Sequence, residues 1–172
     1  TELGAIGADE VLFVLHDPHL RAAALLIETS VWETGLLPGQ MADFRNFAHG
    51  RHVWLTGRQR RARVVALVTD DTRRMWQATE RELPIDLPRV VFDFGRPSRA
   101  GLFEALLVGL ALVEAIGAEL GVDPGKPGVA EFGRALYAMP SLREYAQLPT
   151  PVRRMKLAMQ KLDPLDRNPI DW

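Results

Sequence analysis

Glu28 is the first side chain in the sequence whose position suggests chemistry. The apolar residues Leu20, Ala23, Ala24, Ile27 and Val31 recur at helical spacing, and at about 100° per residue Glu28 falls on the border of their stripe. A carboxylate on such a border is partly desolvated, the condition that moves it toward proton-transfer chemistry; the same placement also suits an ordinary surface glutamate beside a core. Glu33 points well away from Glu28 on the same wheel. Further on, Asp43-Phe44-Arg45-Asn46-Phe47-Ala48-His49-Gly50-Arg51-His52 gathers charged, amide, aromatic and imidazole groups into one segment. His49 suits acid–base work near neutral pH, and Arg45, Asn46, Arg51 and His52 suit ligand binding. Alternatively these groups knit the segment together by hydrogen bonds.

Other chemistries lack their signatures. His16 with His19, and His49 with His52, are spaced three apart without a carboxylate pattern to complete a ligand set, so no metal site is expected. There is neither a Walker loop nor GxGxxG, and no cofactor is expected. The absence of cysteine excludes disulfides and thiolate metal sites and fits a reducing cytoplasm. A net charge of -1 argues against a nucleic-acid partner, which leaves Arg58, Arg60, Arg61 and Arg63 as a solvated turn. No unbroken apolar run reaches the roughly 18 residues of a membrane span, and no membrane partner is expected.

These groups must be positioned by a domain of ordinary composition: 172 residues, 47% hydrophobic and 25% charged. Apolar runs at Val11–Leu15, Val53–Leu55, Val64–Thr69 and Arg89–Phe94 read as strands. Helices are expected from Leu20 to about Gly35, through Met75 and Trp76 after a cap at Asp70 or Asp71, and from Arg99 to Leu120 with Ser98 as N-cap. A short helix spans Val129–Tyr137, and Leu36–Gly50 reads as a loop whose Phe44 and Phe47 need something to pack against. Short buried strands alternating with helices predict an α/β fold, a mainly parallel sheet flanked by helices in three layers. Residues 140–172 read as an extended tail with one amphipathic face, Val152, Met155, Met159 and Leu162, packing on a neighbouring lobe or subunit.

The order of Glu28 on a helix, then Ala48-His49-Gly50-Arg51 leading into an apolar run, then strand, helix, strand and long apolar helix resembles the C-terminal lobe of the sugar-isomerase (SIS) family, as in glucosamine-6-phosphate synthase-like proteins. Gly121-Val122-Asp123-Pro124-Gly125-Lys126-Pro127 is similar to that family's Asp-x-Pro stretch. The resemblance covers roughly residues 11–137, which sets the SIS-like lobe at 1–139. It implies a sugar-phosphate ligand and aldose–ketose isomerisation, with Glu28 as the base between C1 and C2 and His49 opening the ring, in that family from a neighbouring subunit. Arg45, Asn46, Arg51, His52 and Lys126 would bind substrate. A sugar-phosphate sensor without catalysis, or a structural subunit completing a partner lobe, are the alternative roles. Three features depart from the family: the segment between Glu28 and His49 is longer, Ala48 replaces a lysine, and Phe132 stands about where a Schiff-base lysine is expected. The family's N-terminal Gly-Ser and Ser-x-Ser-Gly-Glu-Thr phosphate turns are not found before Val11. The expectation is a lobe whose N-terminal part lies in a missing segment or a separate chain, in a homo- or hetero-oligomer.

Overall fold

The computed structural model describes residues 6–141. The amphipathic tail segment at 152–162 lies outside the described residues. The chain divides into two compact units, Thr1–Gly128 and Val129–Trp172. Each is taken by itself.

The first unit is built on four parallel strands, β1 (Val11–His16), β2 (Gly39–Asp43), β3 (Ala62–Val68) and β4 (Arg89–Asp93), in the order β2-β1-β3-β4. Strands β1 and β3, apolar except for His16 and Arg63, pair in the centre, where parallel strands are covered on both faces and need not alternate. Helices α1 (Arg21–Glu33) and α4 (Arg99–Leu120) cover one face. There Leu12, Val14, Val65 and Leu67 meet Ala24, Ile27, Val31, Ala105 and Val113. On the other face, α2 (Phe44–His49) and α3 (Arg73–Glu82) cover Phe13, Leu15, Val64 and Ala66 with Phe44, Phe47 and Trp76. The expected three layers are therefore present.

Several local signals are realised as written. Ser98 caps α4 by accepting from the Gly101 N–H at 3.0 Å, and Gly121 ends that helix in the left-handed region. The stripe Ala23, Ala24, Ile27, Val31 is buried, with Glu28 half-buried at its border.

Other expectations are overturned. The segment 36–50 is not a loop, because it holds β2 and α2. Phe44 and Phe47 of α2 supply the second core, which answers what those aromatics pack against. Val53–Leu55 is not a strand but part of a 3-10 turn over Arg51–Leu55. Only Leu55 is buried in that turn, while Trp54 tilts over Phe13 at 5.7 Å. Helix α3 is not capped by Asp70 or Asp71; Thr72 stands at its N-cap, and Asp70 pairs with Arg73 at 2.6 Å. Within the arginine run, Arg63 is buried and paired with Glu10 at 2.9 Å, because β3 begins at Ala62. Helix α4 is long and apolar enough to cross a bilayer by length and composition, although its Ala105, Leu112, Val113 and Ile116 side lies buried in the core.

In the second unit, α5 (Glu131–Tyr137) matches the expected short helix and exposes Phe132 and Tyr137.

Candidate functional site at the carboxyl ends of β1 and β2

All four strands run parallel and the order of connection reverses at β1, with β2 on one side and β3 on the other, so the crevice of a doubly wound sheet opens at the carboxyl ends of β1 and β3. Several polar residues collect at that end of the sheet. Asp17, directly after β1, is buried between the hydroxyls of Thr69 and Thr72, which donate to its Oδ2 at 2.6 and 2.9 Å. Its Oδ1 accepts from the His19 N–H at 2.7 Å. A buried carboxylate satisfied on both oxygens is a positioning group, and it ties the ends of β1 and β3 together.

Beside it lies a cleft of about 320 Å³ lined by His16, Arg21, Met41, Asp43, Asn46 and Arg51. Each residue has a local reason to be there. His16 is the last residue of β1, and its Nδ1 donates to the Asp17 carbonyl at 2.9 Å, which turns Nε2 away from that bond. Asp43 ends β2 and caps α2: its Oδ1 accepts from the Asn46 N–H at 2.7 Å and its Oδ2 from Asn46 Nδ2 at 2.6 Å. The Asn46 N–H holds the Asp43 carboxyl below its ordinary range; partial burial opposes this, and the Asn46 amide and the charge of His16 assist it. Arg51 reaches from the 3-10 turn and donates from Nη1 to the Met41 carbonyl at 3.0 Å.

Two guanidiniums, a carboxylate, an amide and an imidazole surround one open cleft, a set able to pair with anionic groups and with hydroxyls. Arginine forks pair with phosphate oxygens in two-point fashion, while carboxylate, amide and imidazole groups pair with hydroxyls.

The residues singled out from the sequence are thus divided. Asn46 and Arg51 share the cleft. Glu28 does not line it: its Oε1 accepts from the Met41 N–H at 2.9 Å, so the carboxylate closes the outer edge of β2. His49 is exposed at the last position of α2, and Arg45 is exposed on the same helix. His52 donates from Nδ1 to the Phe47 carbonyl at 3.0 Å and borders a separate apolar groove between α2 and α3. Lys126 lies in the turn after α4, whose chain runs from the carboxyl to the amino edge of the sheet, and its N–H donates to the Asp123 carbonyl at 2.9 Å. His16, Arg21 and Asp43 were not picked out for this cleft. A signal was available, because His16-Asp17-Pro18 follows an apolar strand directly and Arg21 begins the next helix.

A second cluster stands at the end of β4, where Arg73 donates to Asp93 from Nε and Nη2 at 2.5 and 2.9 Å. The pair lowers the Asp93 carboxyl and raises the guanidinium of Arg73. No protein-family model matches the chain, and no curated protein matches it.

Proposed function

We propose that the chain is a sugar-phosphate-binding lobe of the sugar-isomerase type, recognising its ligand at the carboxyl ends of β1 and β2 and serving recognition rather than isomerisation. The observation that carries this reading is that Arg21 and Arg51 line one cleft together with His16, Asp43 and Asn46. Among the described residues Arg51 has only Nη1 engaged, by the Met41 carbonyl, which leaves the rest of its fork to an anion. The cleft is open, which suits completion by a first lobe of the same type in a cytoplasmic oligomer.

Recognition is preferred to isomerisation because of Glu28. A base that moves a proton between C1 and C2 must reach the carbon, and one oxygen of Glu28 is instead engaged by the β2 edge. The isomerase reading keeps a definite form: Glu28 as base, His49 delivered from a neighbouring subunit.

Calorimetric titration of the chain with glucose 6-phosphate, fructose 6-phosphate, unphosphorylated fructose and inorganic phosphate tests the proposal, alongside an NMR assay of aldose–ketose interconversion. Expected is binding of a sugar phosphate that exceeds inorganic phosphate, is lost in Arg51→Ala, and is accompanied by no interconversion. Equal affinity for fructose and fructose 6-phosphate, or binding untouched by Arg51→Ala, refutes the cleft. Interconversion abolished by Glu28→Gln with binding retained establishes the isomerase instead.

A further inference from the structure

The two edges of the sheet are treated differently by the sequence. At β2, three outward-pointing backbone groups are occupied by side chains: Trp32 Nε1 donates to the Gly39 carbonyl at 2.9 Å, Glu28 takes the Met41 N–H and Arg51 takes the Met41 carbonyl. Such capping prevents a further strand from pairing.

At β4 the outer edge is open among the described residues. The Pro88 carbonyl accepts from the Val64 N–H and the Phe94 N–H donates to the Val68 carbonyl, so the even-numbered residues of β4 face β3. Arg89, Val91 and Asp93 therefore turn their N–H and C=O groups outward, where among the described residues nothing pairs with them. Their side chains share one face of the strand. Val91 is 43% exposed there, which is unusual for an apolar residue in a parallel sheet.

The outward triplet is complementary to itself. When two copies of β4 are laid antiparallel about a two-fold axis through Val91, the two valines face each other and Arg89 of each copy stands opposite Asp93 of the other. The outward peptide groups then form hydrogen-bonded pairs, and unlike charges meet across the seam. Arg89 already contacts Glu80 of α3 at 3.2 Å, and Asp93 already contacts Arg73, so the crossed pairs would join into an alternating network. An antiparallel partner shifted by one residue loses both the charge match and the outward peptide groups.

We infer that β4 is a dimerisation edge, on which a second copy of this chain pairs antiparallel about Val91 to extend the sheet across the two-fold axis. The interface is isologous, a closed arrangement that consumes the open edge completely. It is independent of what the β1–β2 cleft binds.

Because the chain has no cysteine, the pairing can be tested with a single introduced thiol. Facing Cα atoms in a hydrogen-bonded antiparallel pair lie about 5.5 Å apart, within the roughly 4.4–6.8 Å that a disulfide spans. Val91→Cys should give a covalent dimer under mild oxidation, whereas Ile85→Cys, at a fully exposed position, should not. In sedimentation equilibrium the unmodified chain should show a two-chain mass that falls to one chain on dilution. Val91→Lys, which sets two ammonium groups face to face, should be monomeric with an unchanged far-ultraviolet spectrum. A single-chain mass at all concentrations overturns the inference, as does a dimer indifferent to Val91→Lys. A dimer dispersed by Leu107→Glu on the exposed face of α4, but not by Val91→Lys, assigns the interface elsewhere.

Discussion

Glu28 and Arg51 hold the two outward backbone groups of one residue, Met41. The carboxylate accepts from the Met41 N–H at 2.9 Å, and the guanidinium donates to the Met41 carbonyl at 3.0 Å. Helix α1 and the 3-10 turn after α2 thus meet on the outer edge of β2. Arg51 also lines the cleft, so the edge and the candidate ligand site share one side chain.

Removing the carboxylate leaves the Met41 N–H without its acceptor in a half-buried setting. Glu28→Ala should cost about 1–2 kcal/mol of folding stability, the usual penalty of an unmade hydrogen bond. Glu28→Gln keeps a carbonyl at the same reach and should cost less than half of that. Urea unfolding midpoints decide the matter; equal losses in the two variants would mean that the hydrogen bond does not hold the edge.

The shared role of Arg51 separates it from Arg21, which is exposed and has no edge to hold. Arg21→Ala should weaken sugar-phosphate binding by roughly tenfold to a hundredfold, the range of a charge-assisted hydrogen bond, without moving the unfolding midpoint. Arg51→Ala should lower both affinity and stability. Paired calorimetry and urea unfolding on the two variants test this, and a stability loss in Arg21→Ala would contradict it.

The interior of the fold was legible where sequence alone satisfies the structure. Strands β1 and β3 are mainly runs of Val, Leu, Ala and Phe that make sense only when covered on both faces, and Ser98 and Gly121 mark the ends of α4. Strand β2 was not legible because Gly39-Gln40-Met41-Ala42-Asp43 contains neither a β-branched nor an aromatic residue. It is a strand by pairing with β1 and by the side chains that seal its far edge. Conversely, Val53-Trp54-Leu55 looks like a strand, yet it packs through only Leu55 and the Trp54 ring. The site suffered from the same blind spot. Asn46 and Arg51 could be chosen by type and His16 and Arg21 by their place after an apolar strand, but that the two groups share one cleft follows only from the β2-β1 pairing, which sets His16 beside Asp43.

Acid should reveal the cap of α2. Because the Asn46 N–H lowers the Asp43 carboxyl from its ordinary 3.8, the folded chain keeps it charged to a lower pH than the unfolded chain does. Its contribution is complete above the unfolded value and disappears as pH falls through the folded one. Asp43→Asn retains a side-chain oxygen for the cap and has no proton to bind. The stability gap between the native chain and Asp43→Asn should therefore narrow as pH falls below about 4 and be flat from pH 5 upward. Urea titrations across that range check the sign; a gap that widens in acid would show that the cap is not what shifts the carboxyl. Asp93, lowered chiefly by Arg73, moves in the same direction, so the comparison must be made against the Asn variant and not against the raw profile.

Gly117 sets two principles against each other near the end of α4. Intrinsic preference favours alanine over glycine within a helix by about 1 kcal/mol. Yet a Cβ on Gly117 would stand 2.6 Å from Pro124 Cγ and 2.6 Å from the Val122 carbonyl oxygen. The chain turns back on itself there, with the Val122 N–H bonded to the Gly117 carbonyl at 2.8 Å. Neither a proline ring nor a hydrogen-bonded turn yields as a flexible side-chain end would, and overpacking typically costs about 1–3 kcal/mol. Sterics should prevail, so Gly117→Ala is expected to lower the thermal midpoint. Gly128→Ala, where an added Cβ meets nothing within 4 Å, should leave it unchanged or slightly raised. A Gly117→Ala variant as stable as the native chain would mean that the turn after α4 moves aside without penalty.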